Sequence, residues 1–261
     1  MPTVTLVIKV YDESQLEMVN KSIKSILKGL KVETKICQLT PRGMVQINVS
    51  GEDEKAALNY LDKEIGICPT SFEKLNKYSE VKGHISSLNK SKTELYVDIG
   101  ISSPRVLDAA IPIQRLQAQL VDRRKIALKK LVELFGFCEH LPLTIKILDI
   151  NKEKNFIEAT VSERQIAQYK NWTKSFLDRL IILGPSLLEA RLALKRARVN
   201  RDIIDIEPLG LFENAVACKL GTDAVGLIPK IGKILGNSTF SVFSPKKILE
   251  FMDYSTPLIS E

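Results

Sequence analysis

With 261 residues and 44% apolar content, the chain is long enough for two or three small domains and ordinary in composition for a globular protein. No stretch approaches the roughly 20 consecutive apolar residues a membrane span requires, so membrane partners are not expected. A net charge of +7 and a pI near 9.1 permit a polyanionic partner, because Lys and Arg release condensed counterions when they meet phosphates.

The opening residues Met1, Pro2, Thr3 and Val4 enter an alternating β pattern without the basic and apolar regions of a secretory leader, so a cytoplasmic location is expected. The alternation over residues 4–10 predicts a strand. A capping signal at Asp12 and Gln15 then leads into a helix bearing Leu16, Val19, Ile23, Ile26, Leu27 and Leu30 at helical spacing. Strands at 32–39 and 44–49 flank the turn Thr40-Pro41-Arg42-Gly43, and a second helix covers 52–65. This β-α-β-β-α order, completed by a short strand after Gly66, predicts a ferredoxin-like α+β unit over residues 1–78. Such units bind RNA through exposed aromatics on their sheets. The central strands here lack them, which points towards scaffold or protein-contact duty.

From Val81 the strands come closer together, at 81–88, 95–99, 109–113, 143–150 and 156–161, and five of them predict a small barrel over 79–164. Between the third and fourth, the helical insertion 114–136 turns Leu116, Leu120, Ala127, Leu131 and Phe135 to one side. Arg115, Arg123, Arg124, Lys125, Lys129 and Lys130 crowd the rest, either as a solvated face or as phosphate contacts.

The sequences Val81-Lys82-Gly83-His84-Ile85, Glu94-Leu95-Tyr96-Val97-Asp98-Ile99-Gly100 and Leu143-Thr144-Ile145-Lys146-Ile147-Leu148-Asp149-Ile150-Asn151, followed by Phe156-Ile157-Glu158-Ala159, resemble the S-one-type RNA-binding repeat over about 80 residues. The resemblance implies an OB-type barrel, with Tyr96 as a base-stacking aromatic on the second strand, although Tyr96 could equally cap the barrel with its ring. Two departures stand out: Ala109-Ala110-Ile111-Pro112 lacks the glycine and histidine usual on the third strand, and the basic helical insertion is additional.

Residues 165–200 read as a basic helical pair, one helix over 164–183 and one over 186–199, broken at Gly184-Pro185. From Arg164 to Arg201 nine basic residues face only Asp178 and Glu189, an excess equal to that of the whole chain. On the second helix Arg191, Lys195 and Arg198 fall at i, i+4 and i+7, with Arg196 and Arg201 nearby, a stripe suited to a phosphate backbone. Alternatively their stems lie along Leu188, Leu192 and Leu194 and simply solubilise the helix.

Residues 201–261 return to β, with strands at 203–208, 211–220, 225–228 and 239–243 and a short helix near 245–252. The Gly221-Thr222-Asp223-Ala224-Val225-Gly226-Leu227-Ile228-Pro229-Lys230 run lacks the Gly-Lys-Ser/Thr ending of a phosphate loop and reads as a tight β-turn with a packed proline. Its likeness to the first barrel's Val97-Asp98-Ile99-Gly100 and Ile111-Pro112 predicts a second OB-like unit. The N-terminal unit, the S-one-type centre and the run from Gly221 through Phe243-Ser244-Pro245 together resemble an archaeal conserved family without an assigned function.

The cysteines Cys37, Cys68, Cys138 and Cys218 form no C-x-x-C pair, and His84 and His140 have no second ligand at metal spacing, so no metal, cofactor or catalytic site is expected. Asp98, Asp149 and Asp223 are dispersed, which weighs against an enzyme. The expected function is RNA binding associated with the ribosome or translation, the partner being ribosomal or single-stranded RNA. The alternative is a protein-interaction adaptor on an RNA polymerase or exosome-like complex.

Overall fold

The computed structural model describes residues 3–102 and 105–252. The outer ends of the first and last expected units, residues 1–2 and 253–261, lie outside the described residues.

At the N-terminus, β1 (Thr3–Lys9) leads through the Asp12/Gln15 capping box into α1 (Leu16–Ile26). Strands β2 (Val32–Leu39) and β3 (Met44–Gly51) and helix α2 (Glu54–Glu64) follow. The antiparallel sheet has the order β1-β3-β2. Leu6, Ile8, Val45, Ile47 and Val49 pack on Val19 and Ile23 of α1 and on Ala57 and Leu61 of α2. The fourth strand expected after Gly66 shrinks to one bridge, Leu6 to Ile67, on the free side of β1.

The central strands β4 (Glu80–Ile85), β5 (Glu94–Ile101), β6 (Leu107–Pro112), β7 (Pro142–Asn151) and β8 (Phe156–Val161) close into a barrel of order β4-β5-β6-β8-β7. All neighbours are antiparallel except β6 and β8, which run parallel. Leu95, Val97, Ile99, Ile111, Ile145 and Ile157 fill its interior. Gly83 is needed where β4 crosses β5: a methyl group there would meet the Asp98 carbonyl oxygen and come within 2.9 Å of Val97 Cγ1. Gly83→Ala is therefore expected to cost about 1–3 kcal/mol through overpacking, read as a lowered urea midpoint. A midpoint equal to the wild type's would contradict that crowding.

The insertion between β6 and β7 is two helices rather than one. Helix α3 (Ile113–Leu120) stops where Asp122 and Arg123, both at positive φ, turn the chain, and α4 (Leu128–Phe135) restarts after Ala127. Leu116, Leu131 and Phe135 are buried as their spacing implies, whereas Ala127 is exposed. Gly136 ends α4 in the left-handed conformation at φ 63°.

The expected basic helical pair over 165–200 is also corrected. Helix α5 (Glu163–Lys174) ends at Ser175, Phe176 sits exposed at φ 56°, and the chain re-enters as a strand, β9 (Arg179–Leu183). Leu180, Ile181, Ile182 and Leu183 are all buried. Four consecutive buried side chains cannot share one helix face, but they suit a strand covered on both sides.

After β9 come α6 (Leu187–Arg196), β10 (Ile203–Pro208), β11 (Glu213–Cys218), α7 (Ala224–Gly232), β12 (Thr239–Phe243) and α8 (Pro245–Phe251). Instead of a second barrel the C-terminal part is β-α-β-β-α-β, with an antiparallel sheet of order β10-β11-β9-β12. The expected β-turn at 221–230 is helical: Asp223 caps Val225 N at 3.0 Å, and Ala224, Leu227 and Ile231 are buried at helical spacing. One face of this sheet, with Leu180, Ile182 and Val216, packs on α6 and α7. The other, with Ile181, Leu183 and Phe243, joins the barrel-side core, where Phe135, Tyr169 and Trp172 surround Phe243 and Phe137 packs on Phe135 and Tyr169.

Candidate functional site

The cations on which an RNA contact was expected fall into three places. The first is the outer wall of the barrel around Tyr96. Alternation along β5 and β6 turns Leu95, Val97, Ala109 and Ile111 inward, so Tyr96, Asp98 and Asp108 share the outer surface. The Tyr96 hydroxyl donates to Glu94 Oε2 at 2.6 Å, and the Lys90 ammonium sits 4.1 Å from its ring centroid. The hydrogen bond to Glu94, with partial burial, pushes the Tyr96 phenol up to about 12. Glu158, on β8 beside Ala110, is held by Arg115 at 2.8 Å. Tyr96 thus stands among the carboxylates of Glu94, Asp98, Asp108 and Glu158, with its ring already partly covered by a lysine.

The second place is the α3–α4 segment. Arg124 is a structural residue: its guanidinium donates to the carbonyls of Phe251 at 2.9 Å and Met252 at 2.8 Å, at the end of α8. Lys130 pairs with Glu133 at 3.4 Å, while Arg123, Lys125 and Lys129 are exposed.

The third place is the end of α6. Arg191, Lys195 and Arg196 lie on the helix, Arg198 in the turn beyond it at φ 57°, and Arg201 in the next turn. The i, i+4, i+7 stripe is accordingly interrupted before Arg198. All of these cations are exposed, and among the described residues none is ion-paired, since the nearby Glu189 is occupied in a capping box with Ser186. Because α4 packs against one face of the C-terminal sheet and α6 against the other, the second and third places do not merge into one surface.

A cluster that the sequence did not single out lies between the N-terminal unit and the barrel. The Thr40–Gly43 turn carries Arg42 onto the outer wall, where its guanidinium grips Asp108 and reaches Asp98 at 3.4 Å. Asp108 also accepts from Ser86 at 3.2 Å and Lys90 at 3.2 Å. Burial works against both charges, but the mutual hydrogen bond and attraction prevail, raising Arg42 and holding Asp108 below the usual carboxylate range. Around this pair opens a cavity of about 600 Å³, also lined by Lys9, His84 and His140. Among the described residues no group of three or more potential metal ligands converges, and no helix is long and apolar enough to cross a membrane.

Comparison with family models places this architecture. The DUF2110 N-terminal domain matches residues 3–71, the DUF2110 central domain 75–173 and the DUF2110 C-terminal domain 177–243. The chain belongs to the DUF2110 family. The third match begins just ahead of β9, the strand that an all-helical reading of this region had missed. Among curated proteins there is no match. Solved structures similar to this DUF2110 chain include a chain of the a/eIF2alpha–aDim2p–rRNA complex from Pyrococcus horikoshii OT3, at 9% identity and TM-score 0.26, covering 48% of this chain and 64% of that one. The intact alpha subunit of aIF2 from Pyrococcus abyssi is 9% identical, with TM-score 0.26 and coverage of 64% of this chain and 97% of that one. Likenesses this weak decide neither fold nor function.

Proposed function

We propose that this chain is a non-enzymatic RNA-binding protein of the translation or ribosome machinery, which holds RNA by the cations at the end of α6. The observation that carries this reading is that Arg191, Lys195, Arg196, Arg198 and Arg201 are all exposed and, among the described residues, free of carboxylate partners. Free cations of this kind exchange condensed counterions for phosphates at little cost in existing interactions. The barrel supports the reading as an OB-type unit of the S-one kind, its strands running in the order first, second, third, fifth, fourth with the third and fifth parallel. The flanking units are read as ferredoxin-like, the N-terminal one with a vestigial fourth strand. Tyr96 is left out of the contact surface: four carboxylates surround it, and a base would have to displace Lys90 to stack on it.

The test is filter binding of ribosomal and single-stranded RNA over a salt series. Affinity should fall steeply with salt, and replacing Arg191, Lys195 and Arg198 together by Ala should reduce the log–log slope by about 2–3, with stability changed by less than about 0.5 kcal/mol. No binding at low salt, or an unchanged slope, would sink the proposal.

One observation favours the adaptor reading as the alternative. Leu188 and Leu192 are 64% and 43% exposed on the same helix as Arg191 and Lys195, so α6 also offers an apolar and cationic surface suited to an acidic protein segment. A pull-down that survives nuclease and is lost on Leu188→Ser and Leu192→Ser would support the adaptor over RNA.

A further inference from the structure

Lys9 of β1, His84 of β4 and His140 of the turn before β7 line the cavity beside Arg42. The two carboxylates in the wall are already engaged. Asp98 accepts from Gly100 N at 3.0 Å and faces Arg42, and Asp108 takes Arg42, Ser86 and Lys90. Polar capacity is left over elsewhere in the lining. Among the described residues the Lys9 ammonium makes one hydrogen bond, to the Arg42 carbonyl at 2.5 Å, and has no carboxylate within ion-pair distance. His84 is 3% exposed, and its Nδ1 is buried without a partner among the described residues. Buried polar atoms left unpaired are uncommon, and each calls for a reason. His140 is held at φ 72° by its backbone bond to Ile85 O at 2.8 Å, with its ring edge-on to Tyr11. A non-glycine residue kept in the left-handed region beside a cavity is a common mark of a functional position.

We propose that this cavity binds a phosphate monoester, with Lys9 and His84 gripping the phosphate oxygens. The ligand must offer several acceptors at once to satisfy Lys9 and an imidazole N–H, which an oxyanion does and a neutral amide does not. Its anionic part must be compact, because Asp98 and Asp108 share the lining and would repel a second charge. Those carboxylates suit hydroxyl or amino groups on the remainder of the ligand. The volume of about 600 Å³ falls within the range usual for small-molecule sites and accommodates a nucleoside. Lys9 also bears on both imidazoles: after burial, its charge is the next cause that lowers them.

A phosphate monoester can come as a free mononucleotide or as the 5′ end of an RNA, and calorimetry on the full chain separates these sources. The probes are inorganic phosphate, AMP, adenosine, and one ribo-oligonucleotide with either a 5′-phosphate or a 5′-hydroxyl. AMP should bind and adenosine should not, and Lys9→Met should weaken AMP at least tenfold. A 5′-phosphorylated oligonucleotide that competes with AMP, while its hydroxyl counterpart does not, would assign the site to RNA ends. Binding of AMP alone would assign it to a free nucleotide. His84→Gln should weaken AMP similarly. If that variant does not fold, the His84 ring nitrogen resonance of the wild type, which should shift on titration with AMP, carries the test instead. No heat and no His84 shift with any phosphate-bearing probe at millimolar concentration would overturn the proposal, as would an unchanged affinity in Lys9→Met. The triple substitution on α6 should leave AMP affinity as it is, so this site and the RNA surface stand or fall separately.

Discussion

Replacing Arg42 by methionine should lower the stability of the chain by about 2–3 kcal/mol, measured as the shift of a urea unfolding midpoint at constant m-value. The pair is asymmetric. The Asp108 side chain is 1% exposed and that of Asp98 9%, whereas the Arg42 side chain is 35% exposed. Removing Arg42 strands carboxylates that cannot retreat to water, leaving Lys90, Ser86 and the Gly100 amide to hold them. The figure is set below the 3–5 kcal/mol of a fully buried pair because Arg42 itself keeps partial access to solvent. Asp108→Asn in the Arg42→Met background should recover part of the loss, since the amide removes the uncompensated charge. A midpoint within about 0.5 kcal/mol of the wild type, or a double variant no better than the single, would mean that the contact between the N-terminal hairpin and the barrel carries little energy.

The same contact marks the limit of what the sequence discloses. Periodicity locates β1, α1, β3, α2 and the barrel strands because each buries one face at its own repeat, as Val19 and Ile23 do on α1 and Leu95, Val97 and Ile99 do on β5. It fails where burial is two-sided. Leu180 to Leu183 continue the helical spacing of α5, and only the packing of α6 and α7 on one side and the barrel core on the other makes them a strand. At 224–231 a short apolar run fits either period, and the Asp223 cap decides for a helix. The cation rows were legible as composition but not as surfaces. Arg124 turns inward to finish α8, Lys130 meets Glu133, and the left-handed turn at Arg198 breaks the stripe. The cavity was illegible altogether, because its groups lie on β1, the β2–β3 turn, β4, β5, β6 and the turn before β7, positions that only the closure of the barrel against the N-terminal sheet brings together.

Two buried groups should give the protein a pH profile that a single substitution exposes. Burial, helped by the charge of Lys9, lowers the His84 imidazole from 6.5 to about 3. Between those values the unfolded chain binds the proton and the folded chain does not. The contribution of His84 is therefore complete above pH 6.5 and is lost as pH falls, by up to about 1.4 kcal/mol per pH unit. Glu213 acts with the opposite sign. Burial raises its carboxyl from 4.5 to about 7, against the hydrogen bonds from Tyr11 and Phe212 N that favour the charged form. Here the folded chain takes the proton first, so stability is gained as pH falls from 7 to 4.5. In the wild type the two slopes oppose each other between pH 6.5 and 4.5, and His84 acts alone below that. Glu213→Gln keeps an oxygen to accept from Tyr11 and removes the titration, so its stability should fall steadily from pH 6.5. The difference between the two proteins should shift by about 2–3 kcal/mol in favour of the wild type from pH 8 to pH 5, read from urea midpoints at each pH. Taking the difference cancels the common titration of the surface carboxylates. Parallel profiles for the two proteins would show that Glu213 titrates near its ordinary value, and hence that water reaches the junction between β1 and β11.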